Sequence, residues 1–87
     1  MSKIIKAEEA TRAILKFSGQ YGLKSVTLTT TLAQRCQSVG TLTLYAESDD
    51  AYPVVLEDVR YPNVVVRSVA QMLRINFYLR YDHTEMA

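Results

Sequence analysis

The chain has one histidine, His83, and one cysteine, Cys36, so nucleophile–base chemistry would have to be assembled from that single pair. A reactive thiol needs a base, and the base needs a third group to orient it. The sequence places nothing beside either residue for that task, and Cys36 reads as a small core residue. One His and one Cys cannot make a zinc ligand set. Glu47, Asp49 and Asp50 cluster, but without the Asp-x-Asp-x-Asp-Gly spacing of a calcium loop, so they read as a solvated turn. Glu57 and Asp58 are adjacent and would face opposite sides of a strand, which prevents a carboxylate pair. There is no glycine-rich phosphate loop. The expectation is a protein without catalytic residues, metal or cofactor.

What the sequence offers instead is a run of recognition side chains. In "QMLRINFYLRYDH", Arg and Tyr are threaded through Leu, Ile and Phe. Read as a helix, Arg67, Gln71, Arg74, Tyr78 and Tyr81 form one stripe, while Ile75 is stranded on the outer side. Two readings stay open. Arg stems and Tyr rings can simply shield the apolar layer beneath them, or the stripe can grip a partner, since both residue types are enriched in binding hot spots. All five basic residues after Lys24 are Arg, which favours bidentate and stacking contacts over plain solubility.

The elements that would position this stripe follow from periodicity. "KAEEATRAILKFSGQYG" puts Ala10, Ala13, Ile14, Phe17 and Tyr21 on one helical face and Glu8, Glu9, Arg12 and Lys16 mostly on the other. Gly19 or Gly22 would end that helix. "KSVTLTTTLAQRC" alternates, with Val26, Leu28, Thr30 and Leu32 to one side and Thr27, Thr29 and Thr31 to the other. "VGTLTLYAES" repeats the pattern, with Leu42, Leu44 and Ala46 inward and Thr41, Thr43 and Tyr45 outward. "QRCQSVG" reads as the hairpin loop between them, and "ESDDAYP" as the next turn. "VVLEDV" is a short third strand. Pro62 then suits the first turn of a final helix running to about Asp82. On it Val66, Val69, Ala70, Leu73 and Phe77 form the apolar face, broadened by Val65, Met72 and Leu79. The valine triplet Val64–Val66 is a poor helix former, so strand or helix stays open there, as it does for residues 26–34.

The expected architecture is therefore α+β: helix, three-stranded antiparallel sheet, helix, an αβββα two-layer sandwich spanning residues 1–87 as a single domain. Its Thr-rich face is either solvated or covered by something else. The 87 residues are 48% hydrophobic and 22% charged, which argues against intrinsic disorder. Ten basic residues against nine acidic leave +1, without the basic excess usual in a protein that lives on phosphates. A single cysteine excludes an internal disulfide, and no apolar run has signal or membrane-spanning length. A soluble, cytoplasmic protein is expected.

Two families share part of this pattern. The αβββα order resembles the double-stranded-RNA-binding domain, whose last helix starts with a basic, Lys-rich stretch; "PNVVVRS" holds only Arg67 at that place. "AILKFSGQYGLKSVTL", "LAQRC" and "GTLTLYAESDDAY" resemble the helix-turn-helix domain of the tetracycline-repressor family across residues 10–56. In that resemblance Gly40, Thr41, Leu42, Tyr45 and Ser48 match the recognition-helix region. It requires one residue inserted before Leu32 and one removed after Cys36, each turning later side chains by about 100° around a helix. The family's ligand-binding domain has no counterpart here.

The functional expectation is a small non-enzymatic protein-binding module, an inhibitor or adaptor. By analogy of size alone, it is of the compact kind carried by phages and other mobile elements, including anti-CRISPR-like anti-defence proteins. It would act through the Arg/Tyr stripe, the Thr-rich face or a sheet edge. The alternative is a nucleic-acid binder, through the repressor-like helices or through arginine–phosphate contacts from the last helix. A homodimer assembled through sheet edges is the third possibility. No membrane partner is expected.

Overall fold

The computed structural model describes residues 3–82, and of residues 79–82 the backbone alone. The elements are α1 (Ala7–Tyr21), β1 (Leu23–Thr31), α2 (Leu32–Cys36), β2 (Val39–Ala46), β3 (Val54–Arg60), α3 (Pro62–Leu73) and β4 (Asn76–Asp82). The strands form one mixed sheet in the order β3-β2-β1-β4, antiparallel except for β4, which lies parallel to β1. The α+β class is as expected, but the expected αβββα order is interrupted by α2 between β1 and β2. The fourth strand and its parallel pairing are departures as well.

Alternation in β1 and β2 does what its period requires. Val26 pairs with Leu44 and Leu28 with Leu42, and all four are buried; Thr27 pairs with Thr43 and Thr29 with Thr41 on the other face. α1 buries Ala10, Ile14 and Phe17, and α3 buries Val65, Val66 and Val69. These six pack with Leu23, Val59 and the β1–β2 set into one core on one side of the sheet. The buried arc of α1 is narrower than its apolar stripe: Ala13 is exposed, and Tyr21 rests its ring 5.4 Å from that of Phe17 while staying half outside. Gly22, at φ 76°, ends α1, with its N–H donated to the Ser18 carbonyl.

The valine triplet is helical because burial outweighs propensity. A fully buried valine contributes roughly 1.5–3 kcal/mol, whereas its helix deficit is at most about 0.7 kcal/mol. Two of the three, Val65 and Val66, are buried; Val64 is exposed. The expectation of one helix to Asp82 fails at Arg74. This residue adopts the left-handed conformation at φ 53°, and the Arg74 and Ile75 amides both reach the Ala70 carbonyl. Such a stop is usually glycine, so the sequence carries no conventional signal for it. Ile75 is consequently not stranded but packs against the core. α3 carries the chain over β2 and β1. Twelve helical residues span about 18 Å, enough for the roughly 14 Å between strands three places apart.

The repressor-like reading of residues 10–56 is overturned. Gly40, Thr41, Leu42 and Tyr45 lie in β2 and are paired to β1 or β3, where the resemblance required a recognition helix. β-branched threonines at alternate positions favour the pleated ladder over a helix. The order also departs from that of the double-stranded-RNA-binding domain, since α2 separates β1 from β2 and β4 follows α3, and Arg67 is the one basic residue in α3.

Two substitutions test these junctions. A methyl group at Gly40 would meet Leu28 at 2.7 Å and Pro62 at 2.9 Å, forcing α3 off the sheet. Gly40→Ala should therefore lower stability by about 1–3 kcal/mol in urea denaturation. Arg74→Gly removes left-handed strain and should leave stability unchanged or raise it by up to about 1 kcal/mol.

Candidate interaction surface

Both long helices cover one side of the sheet, and the other side carries neither. Register fixes what it presents. One row runs across all four strands as Val55, Thr43, Thr27 and Tyr78, and the next as Tyr45, Ser25 and Asn76. Tyr45 is 38% exposed, Val55 52% and Tyr78 55%. Between Ser25 and Thr31 on β1, and between Thr41 and Tyr45 on β2, every residue facing this side is Ser, Thr or Tyr. Tyr45 and Tyr78 stand two strands apart, roughly 10 Å. With Ser25 and Thr27 as floor and Asp49 and Pro53 from the β2–β3 turn as wall, they enclose an open depression of about 460 Å³. Among the described side chains charge lies at the rim, at Lys24, Asp49, Glu57 and Asp58, and Arg80 takes the edge-strand position opposite Thr29.

One side chain ties down the far end of this face. Thr31 caps α2 by accepting the Gln34 amide N–H at 3.1 Å, while the Gln34 Oε1 accepts the Thr31 N–H at 3.1 Å. The Gln34 Nε2 then donates to Thr41 Oγ1 at 2.9 Å and to Asp58 Oδ1 at 3.1 Å. A single amide thus links β1, α2, β2 and β3. Asp58 reaches it from a β-bulge in which its own φ is 54°; the ladder shifts register between Gly40 and Leu42 opposite. The signal was in the sequence, since "TLAQ" is a Thr-x-x-Gln capping box. Reading these residues as strand and hairpin loop hid it. In consequence Leu32 does not continue the inward row of β1. It sits in α2 and is 40% exposed.

The expected stripe is divided among three places. Arg67 and Gln71 are exposed on α3, in the helical layer. Arg74 is the left-handed stop, exposed beside Leu23, Glu47 and Asn76. Tyr78 lies on the bare sheet face, and Tyr81 lies in β4 opposite Thr30. A helix would have aligned all five; the change to a period of two at Asn76 separates them. Phe77, expected on the apolar helix face, is in β4 opposite Val26 and 37% exposed, and Met72 is 53% exposed. Cys36 is exposed in α2 rather than a core residue. His83, its possible partner, lies outside the described residues. Glu47, Asp49 and Asp50 are exposed in and beside the β2–β3 turn, and Asp58 is held by Gln34. Among the described residues no group of three His, Cys, Asp or Glu is placed to hold a metal ion, and no helix is long and apolar enough to cross a membrane.

The chain matches no family model, no curated protein and no solved structure.

The Gln34 bracket makes a graded prediction. Gln34→Ala leaves the Thr31 amide and Asp58 without their partner and should cost about 1–3 kcal/mol. Gln34→Glu should cost more at pH 7, because the introduced carboxylate cannot donate and faces that of Asp58. The introduced acid binds its proton more tightly in the folded than in the unfolded chain, so this variant should gain stability on acidification and approach Gln34→Ala below about pH 4. Urea titrations at the two pH values measure both effects.

Proposed function

We propose that this protein is a non-enzymatic protein-binding module, an inhibitor or adaptor, that docks a partner against the bare face of its sheet. The observation that carries this reading is the makeup of that face. The central strands offer Ser, Thr and Tyr, the edges add Val55 and Tyr78, and among the described side chains charge stays at the rim. A face that served only to be wet would gain solubility from Lys and Glu at those positions. Tyr supplies large contact area at low entropic cost and keeps one hydroxyl for a directed bond. A centre poor in charge within a polar rim is the layout of protein interfaces.

The same layout weighs against a phosphate backbone as the ligand of this face. Glu57 and Asp58 stand at one end and Asp49 at the other, with Lys24 on the rim beside Asp49 and Arg80 at the edge-strand position opposite Thr29. A nucleic-acid groove of this size would need a cationic track.

Affinity capture from nuclease-treated host lysate tests the reading, using Tyr45→Arg and Val55→Arg on the face and Arg67→Ala/Gln71→Ala on α3. After circular dichroism confirms folding, each face variant should lose at least about tenfold in partner recovery while the α3 variant keeps it. Loss confined to the α3 variant would move the site to the helical layer. Recovery that nuclease abolishes would replace the reading with nucleic-acid binding through the arginines.

A further inference from the structure

The two edges of the sheet are treated differently. On β3 the chain blunts its own edge. Ile5 forms a parallel bridge with Val59, donating its N–H to the Asp58 carbonyl at 2.9 Å and accepting that of Arg60 at 2.9 Å. Asp58 also bulges the strand. On β4 neither device is present. Seven residues, Asn76–Asp82, pair with Ser25–Thr31 without a register shift, and among the described residues no strand lies along the outer side. The strand holds no Pro, Lys or bulge, and its charged residues are Arg80 and Asp82, one of each sign.

We propose that the partner of this edge is a second copy of the chain, paired β4 to β4 antiparallel about a two-fold axis at Leu79. The sequence of the strand is complementary to its own reverse in that register. Asn76 falls opposite Asp82 of the second copy, Phe77 opposite Tyr81, Tyr78 opposite Arg80, and Leu79 opposite itself. The register thus sets an amide opposite a carboxylate, an aromatic opposite an aromatic and the strand's one cation opposite a phenol, residue types that pair favourably across strands. A shift of two residues one way would set Arg80 against itself and the other way opposite Asn76, and either would leave two residues of each strand without a partner, so the register at Leu79 is the one that retains all seven. Because directly opposed residues in an antiparallel pair share a face, both bare faces would lie on the same side of one eight-stranded sheet. The isologous contact closes on itself, as two-fold assembly requires. The inference goes beyond the docking reading and does not rest on it.

Sedimentation equilibrium on the full chain, from micromolar to several hundred micromolar, tests the pairing. The wild-type mass should rise from one chain to two. Tyr78→Lys, at a half-exposed position, sets two cations against Arg80 and its symmetry mate and should raise the dissociation constant by about tenfold or more. Tyr78→Lys/Arg80→Glu restores opposite charges in this register and should recover most of that loss, with circular dichroism showing all variants folded. A wild-type mass that stays at one chain overturns the proposal. So does a dimer indifferent to Tyr78→Lys, or one that the second substitution does not rescue. The face variants at Tyr45 and Val55 lie outside β4, so failure of the docking reading would leave this result unaffected.

Discussion

Val26 and Leu28 are the contacts on which the remaining structure leans. They sit on β1, the strand that pairs with β2 on one side and β4 on the other, and both are buried in the core beneath α1 and α3. Their burial decides which way β1 faces. Since a strand has a period of two, it simultaneously decides that Ser25, Thr27 and Thr29 face away. A slip of one residue would exchange the two sets, costing roughly 1.5–3 kcal/mol for each apolar side chain turned out. The neighbours inherit their registers from β1, and with them the Thr/Tyr face.

The turns that let so short a chain close on this strand depend on strained backbone. Ser38, Asp58, Tyr61 and Arg74 all have left-handed φ between 50° and 57° without being glycine, and each stands at a junction or bulge. Each costs on the order of 1–2 kcal/mol. Local bonds offset part of it: the Tyr61 N–H donates to the Ser38 carbonyl, the Tyr61 carbonyl accepts from Val64 and Val65, and Asp58 is held by Gln34 and by Ile5. The core on one side of the sheet supplies the rest. Close approach of α3 at Gly40 belongs to the same economy of space, since Pro62 and Leu28 fill the volume a side chain would occupy.

That arrangement has a functional side. With both long helices committed to one side, the other is covered only at its Thr31–Thr41 end, by α2, and among the described residues the β4 edge stays open as well. A small protein whose bare sheet face pairs half-buried Ser and Thr with exposed Tyr45, Val55 and Tyr78 has most of its distinctive surface there. The arginines of α3 and the α3–β4 turn are spread over other sides of the molecule.

Much of this was legible in the sequence wherever a single period ran long enough. α1, the three antiparallel strands, the inward and outward sets of β1 and β2, and the α+β class followed from spacing alone, because burial of one face imposes the period on the residues themselves. The capping box at Thr31 and Gln34 was equally local but was outweighed by the strand pattern running into it. The end of α3 and the existence of β4 were not legible in the same way. "MLRINFYLRYD" satisfies both a helical and an alternating pattern, and Arg74, which takes the left-handed turn between them, is not a residue that announces one. Only β1, with an unfilled ladder along Ser25–Thr31, could settle the choice: pairing there satisfies backbone groups that a longer helix would have left to water. That non-local bond set split the Arg/Tyr stripe, sent Tyr78 to the sheet face, and so determined where the candidate surface lies.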